Sequence, residues 1–231
     1  LGARDLVVSL PVTYGYAPLR EAIAARYGVR PDQVFTVSGG TTLANWLACA
    51  TLLGDAPRGG AEVIVERPTY EPLLAIPRGL GCRVRRLPRP PAGGYAIDLE
   101  RFASLVTPRT RLAIVTNLHN PSGARIPMDV LREMARRLAR VRAVLLVDEV
   151  YLECTFEETA RSCVHAGPNV VTTNSLTKAY GLDGLRAGWI LGPAALVGRM
   201  ARAHDVVELE QGLEERLHVV ESVLAGGVAE R

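Results

Sequence analysis

The sequence predicts an α/β protein built on a parallel sheet, on three observations. Short β-branched or aliphatic runs recur along the chain, and the longer stretches between them carry apolar residues at helical spacing. No strand-rich second block follows the last run, so the strands belong to one open layer structure. The 231 residues, 48% apolar and 22% charged, suffice for one large domain or one and a half, and that composition excludes disorder.

Taken in order, Leu1–Thr13 is a short apolar piece with no partner pattern. Apolar spacing predicts a helix over Leu19–Tyr27, then a strand at Val34–Val37 and a helix over Leu43–Leu53. A strand at Glu62–Val65, a helix over Tyr70–Leu80 and a strand at Arg83–Leu87 follow. Pro88 to Gly94, with three prolines and two glycines, reads as a surface connection. Asp98 is placed to cap a helix over Leu99–Val106. Strands are then expected at Leu112–Thr116, Ala143–Val147, Val170–Thr173 and Gly188–Leu191, with a helix over Val130–Arg142. Beyond them the pattern gives one helix near Ala194–His204 and an acidic amphipathic one near Leu213–Leu224. There is no internal repeat.

Composition excludes several functions. Of 27 basic residues only Lys178 is a lysine, and it follows Leu176 and Thr177 rather than a glycine, so a P-loop is absent. The net charge of +3 is small and the arginines are dispersed, which does not describe a nucleic-acid groove. Cys49, Cys82, Cys154 and Cys163 have neither metal-knuckle spacing nor a disulfide-scaffold pattern, and are expected as reduced thiols with no metal bound. No apolar run reaches the roughly 18 residues of a membrane helix, and no signal-peptide layout is seen at Leu1. A soluble cytoplasmic protein is expected.

Ligands of open α/β sheets bind outside the carboxyl ends of the strands, so the loops there carry the functional expectation. Ser38-Gly39-Gly40-Thr41-Thr42 leads into a helix whose first N–H groups suit a phosphate, although such a sequence alone most often makes just a capped turn. In Asn117 to Gly123, Asn120 precedes proline and is held away from helix. Asp148 ends a buried strand, with Tyr151 three residues on; an NTPase reading of that acid fails for want of the P-loop lysine. Lys178 stands in a polar loop after Ser175, with Arg186 eight residues beyond. A lysine there suits Schiff-base chemistry, because arginine cannot condense with an aldehyde. The blander reading, a solvated surface lysine, is weakened in a chain that uses arginine everywhere else.

Together these residues resemble the fold-type I pyridoxal-phosphate enzymes, specifically the class I/II aminotransferase family related to aspartate aminotransferase. The resemblance runs from about Gly15 to Arg202 through Gly15-x-x-x-Leu19-Arg20, Ser38-Gly39-Gly40-Thr41, Pro68-Thr69-Tyr70, Asn120-Pro121-Ser122-Gly123, Asp148-Glu149-Val150-Tyr151, Ser175-Leu176-Thr177-Lys178 and Gly184-Leu185-Arg186-x-Gly188-Trp189, in the family's order. It implies a three-layer α/β/α domain with a mostly parallel seven-stranded sheet, and pyridoxal 5′-phosphate as cofactor. It also implies roles: Lys178 as the Schiff-base residue and proton carrier, Asp148 pairing with the pyridine nitrogen, and Tyr151 and Asn120 on the ring oxygen O3′. Tyr70 would stack on the ring, while Gly40, Thr41, Ser175 and Arg186 would hold the phosphate. For His119 and Glu149 only packing or a supporting hydrogen bond is read.

The resemblance stops short at the substrate: nothing after Arg202 matches the family's carboxylate-binding arginine. The expected division is an N-terminal segment 1–14, a cofactor domain 15–202 and a remnant of a small domain at 203–231, most of that small domain being absent from the sequence. The leading expectation is ping-pong transfer of an amino group between an amino acid and a 2-oxo acid. The alternatives are a lyase or decarboxylase of the same fold, an aminotransferase-like regulatory module, or a dead fold that still binds cofactor. A homodimer is implied, with Tyr14 or Tyr16 reaching the partner's phosphate.

Overall fold

The computed structural model describes residues 14–54, 60–155 and 161–204. The piece Leu1–Thr13 and the helix expected at Leu213–Leu224 lie outside them. All seven expected strands form: β1 (Val34–Ser38), β2 (Glu62–Arg67), β3 (Arg83–Pro88), β4 (Thr110–Thr116), β5 (Val144–Asp148), β6 (Val170–Ser175) and β7 (Ala187–Leu191). They make one sheet in the order β1-β7-β6-β5-β4-β2-β3. Neighbours are parallel except β7, which runs antiparallel to both β1 and β6.

The strand sequences bury both faces by simple alternation. Leu112 and Ile114 of β4, with Val144 and Leu146 of β5, face one core; Ala113, Val115, Leu145 and Val147 face the other. The first core is covered by α2 (Gly40–Leu53), α3 (Glu71–Gly79) and a helix, α6, over residues 194–204. The second is covered by α4 (Leu99–Leu105) and α5 (Met128–Ala139), and α1 (Ala17–Tyr27) packs beside it on Val34, Trp189 and Leu191. This is the expected three-layer α/β/α arrangement. No helix among the described residues is long and apolar enough to cross a membrane.

Local signals hold where they are chemical. Asp98 caps α4 by accepting from the Glu100 and Arg101 N–H groups at 2.9 Å. Other readings are adjusted. Helix α2 starts at Gly40 rather than Leu43, which puts Thr41 and Thr42 in its first turn. Helix α5 ends at Ala139, because Arg142 turns the chain at φ 58° and the Val141 and Ala143 N–H groups close on Leu138 O. Segment Pro88–Gly94 is not wholly a surface connection: Arg89 is buried within it, held by Glu66 at 2.5 Å and by Tyr95 O at 2.6 Å. A buried guanidinium is tolerable only with such partners.

Candidate active site

Parallel strands β4, β5 and β6 end on Thr116, Asp148 and Ser175, so these three side chains meet at one edge of the sheet. Because β7 runs backwards, its leading residue is at that same edge, and Arg186 immediately before it joins them. The loop from β1 into α2 arrives there too, since Ser38 pairs with Ala187. A cavity of about 160 Å³ opens at this edge. Lys178, Asp148, Tyr151 and Asn120 line it, as do Tyr70, Thr41, Ser175 and Arg186.

One end of the site is built as an anion cradle. The N–H groups of Gly39 and Gly40 both donate to Arg186 O, at 2.7 and 2.6 Å, and the Arg186 guanidinium donates back to Gly39 O at 2.9 Å. Arg186 holds left-handed backbone, φ 49° and ψ 20°, to make this double contact. Gly40 is itself at φ 68°, and a Cβ there would stand 3.6 Å from both Arg186 Nη2 and Thr177 Oγ1. Its N–H being engaged, Gly40 contributes space rather than a donor. The approach is close enough that a Cβ on Gly188 would lie 2.6 Å from the Gly40 carbonyl carbon. Thr41 Oγ1 is buried at the cavity with no hydrogen-bond partner among the described residues. A helix start, a free hydroxyl and a planar guanidinium suit a phosphate.

The other polar group is Asp148, buried at the end of β5. Burial pushes its carboxyl up to about 6, opposed by hydrogen bonds from the Val150 N–H and the Asn45 amide. Asn45 Nδ2 donates to Asp148 Oδ2 at 2.7 Å, and Val150 N–H to Oδ1 at 3.0 Å. A carboxylate so placed is costly unless it is hydrogen-bonded or paired with a cation. Asn120 is held by its own N–H, which donates to Thr116 Oγ1 at 2.9 Å; Thr116 in turn donates to Glu66 at 2.7 Å. Tyr70 stands at the position before α3 without capping it and stays 42% exposed at the cavity. Lys178 lies exposed in the loop after β6, where the Leu176 N–H bonds Ala187 O at 3.0 Å.

His119 and Glu149 behave as supports. His119 bonds Ser122 Oγ at 2.6 Å and Pro68 O at 3.1 Å, which ties the Asn120 turn to the Tyr70 turn. Glu149 is buried against Ser162 and the Cys163 N–H, facing away from the cavity residues. Asn45, Thr116 and Thr177 join the site from positions that carry no expectation in the sequence. Asn45 had a faint signal: it is a polar residue four positions after Thr41, hence on the same helix face.

A helix-flanked mixed sheet with a lysine, a buried acid and an anion cradle at its carboxyl edge is the ligand-binding arrangement of an open α/β sheet. The comparisons make this specific: the family "Aminotransferase class I and II" matches residues 4–209, and the chain belongs to it. The chain is 35% identical over 208 residues to capreomycidine synthase of Streptomyces vinaceus, covering 87% of this chain and 51% of that protein. It is 32% identical to arginine–pyruvate transaminase of Pseudomonas aeruginosa, covering 80% and 48% respectively. Among solved structures, aspartate aminotransferase from Thermus thermophilus superposes with a TM-score of 0.76 at 28% identity, over 84% of this chain and 52% of that one. The chain thus spans about half the length of the curated relatives it matches.

Proposed function

We propose that this chain carries the cofactor-binding half of a pyridoxal 5′-phosphate-dependent aminotransferase. It would pass an amino group from an amino acid to a 2-oxo acid in two half-reactions. The observation that carries the proposal is the convergence on one cavity of the chain's one lysine, a buried carboxylate and an anion cradle with an unpartnered hydroxyl. When bound, the cofactor supplies an electron sink for the charge left at the substrate Cα once its proton departs.

The residues divide the remaining work. Thr41, Ser175 and Arg186 hold the phosphate, and Gly40 leaves it room. Asp148 would hold a proton on the ring nitrogen by charge pairing, Tyr70 would cover the ring face, and Asn120 with Tyr151 would donate to the ring oxygen, all four lining the cavity. Lys178 lines the same cavity, and its amine would hold the cofactor aldehyde and serve as the base for the substrate Cα proton. Residues 15–202 form the cofactor domain in this reading, and Ala203 at the end of α6 still packs on its core.

A homodimer in the cytoplasm is part of the proposal. The family membership supports the first, and four free thiols support a reducing compartment. Tyr14 packs into its own core, whereas Tyr16 is 69% exposed, so Tyr16 is the one free to reach a partner's phosphate.

The test is a spectral scan of the protein loaded with pyridoxal 5′-phosphate against a panel of amino acids, alongside Lys178→Ala. We expect one equivalent of amino acid to convert the cofactor to its amine form without oxo acid, and the variant to lose both the lysine-linked absorbance and transfer. Persistence of both in the variant overturns the assignment.

A further inference from the structure

We infer that Asn45 and Thr173 act together as a positioning pair that holds Asp148 as an ionised acceptor, and so set the preference of this site for a ring protonated at nitrogen. The inference rests on the pyridoxal 5′-phosphate reading only for its second clause; the first concerns the protein alone.

The geometry is a chain of two short hydrogen bonds sealed from water. Thr173 Oγ1 donates to Asn45 Oδ1 at 2.6 Å, and Asn45 Nδ2 donates to Asp148 Oδ2 at 2.7 Å. Asn45 is 1% exposed, Thr173 0% and Asp148 3%. Thr173 sits directly across from Asp148 in the β5–β6 register, so the hydroxyl and the carboxyl flank the amide from one sheet surface. Asn45 reaches both from α2, one helical turn beyond Thr41. A single face of α2 therefore serves the anion cradle with Thr41 and the acid with Asn45.

The direction of the bonds matters. An amide offers a donor at one end and an acceptor at the other, so whichever end meets Thr173 decides what Asp148 meets. With the hydroxyl donating to Asn45 Oδ1, the NH₂ is turned to the carboxylate and favours its charged form. With the amide reversed, its oxygen would face Asp148 Oδ2, which only the protonated acid could satisfy. Thr173 donates here, and that leaves the amide nitrogen as the group facing Asp148.

Few other groups bear on this acid. The Val150 N–H holds the second oxygen, and burial and the two hydrogen bonds account for the displacement of its titration to about 6. Lys178, Arg186, Tyr70 and Tyr151 line the same cavity, and Glu149 turns to Ser162 and Cys163 instead. The nearest β4 side chain, Thr116, carries no charge. Removing the Asn45 donor thus removes one of two groups that favour ionisation.

The experiment is a ¹³C carboxyl titration of the cofactor-free full chain, with the Asp148 signal assigned by its loss in Asp148→Asn. One charge-assisted hydrogen bond corresponds to about one pH unit, or tenfold in the ionisation constant. We expect Asn45→Leu to raise the Asp148 midpoint by about that much, Thr173→Val to raise it by less, and Thr173→Ser to restore it. The double variant Asn45→Leu/Thr173→Val should titrate like Asn45→Leu alone, since the hydroxyl acts only through the amide. An unshifted midpoint in Asn45→Leu overturns the inference. Should that variant not fold, equal midpoints in Thr173→Val and Thr173→Ser overturn it.

A second arm compares binding of pyridoxal 5′-phosphate with its 1-deaza analogue, in which carbon replaces the ring nitrogen. The wild-type preference for the nitrogen ring should fall about tenfold in Asn45→Leu. If wild type binds neither compound, the cofactor reading fails while the titration still decides the pair. If wild type binds the cofactor but Asn45→Leu keeps the full preference, the pair's role in ring selection fails alone.

Discussion

Thr41→Val separates a functional hydroxyl from a structural one, because the two roles move stability and affinity in opposite directions. Thr41 Oγ1 is buried at the cavity without a partner. An unsatisfied buried hydroxyl costs about 1–3 kcal/mol, and a methyl of the same shape does not incur that cost. The cofactor-free variant should therefore be no less stable than wild type, and more stable by about 1 kcal/mol at the lower end of that range. A phosphate oxygen accepting from this hydroxyl would form a charge-assisted bond worth about 1.5–3 kcal/mol, so the same variant should bind pyridoxal 5′-phosphate roughly 10-fold to 150-fold more weakly. Urea melts of the cofactor-free protein give the first quantity, and a spectroscopic titration with cofactor gives the second. A variant that binds the cofactor as tightly as wild type would refute the placement of Thr41 on the phosphate. A clear loss of cofactor-free stability would show instead that the hydroxyl holds the fold.

Three further outcomes follow from the geometry. Lys178→Arg keeps the charge but cannot condense with an aldehyde, so it should retain cofactor without lysine-linked absorbance and lose about a thousandfold or more in transfer rate; a rate within tenfold of wild type counts against Lys178. Gly188→Ala places a Cβ 2.6 Å from the Gly40 backbone, which should cost about 1–3 kcal/mol and weaken phosphate binding; calorimetry showing no loss would mean β7 and α2 can part. Burial raises Asp148 to about 6. The folded state therefore holds this proton longer than the unfolded chain, so its stabilising effect is full below pH about 4 and is lost as pH rises through about 6. Denaturant midpoints of cofactor-free Asp148→Asn across pH 4 to 7 should decline less steeply than those of wild type, and parallel curves would contradict the burial argument.

Most strands were legible because they carry a short aliphatic run, and alternation within β4 and β5 follows directly from burial on both faces. The reversal of β7 was not legible, since direction is decided by pairing with β1 and β6, which lie more than ten residues away in sequence. That reversal is what brings Arg186 to the cavity. Arg89 was misread for a similar reason: three prolines mark its segment as a connection, while its burial depends on Glu66, from another strand. Asn45 was hidden inside an apolar helical run, where its partners Asp148 and Thr173 are visible only once the sheet is assembled. Chemistry that belongs to one residue type, such as the lone lysine, could be read directly; chemistry made by pairing could not.

Three unfavourable features of the described structure lie where the family resemblance puts the site. Arg186 holds a left-handed conformation that costs an ordinary residue about 1–2 kcal/mol. Thr41 leaves a buried hydroxyl unsatisfied, and Asp148 keeps a carboxyl in a place that pushes it toward its neutral form. A fold selected for stability alone would replace Thr41 by valine and Asp148 by an apolar residue, as β5 already has over its four preceding positions. Each of the three features instead becomes favourable when an anion lies in the cradle and a cation lies against the acid. One ligand with a phosphate at one end and a protonatable ring nitrogen at the other meets both conditions at once, whereas a simple dianion or a simple cation meets only one. Inorganic phosphate should accordingly stabilise the cofactor-free protein less than pyridoxal 5′-phosphate does even in Lys178→Ala, where no covalent link can form. Equal stabilisation by the two would leave Asp148 without its proposed partner.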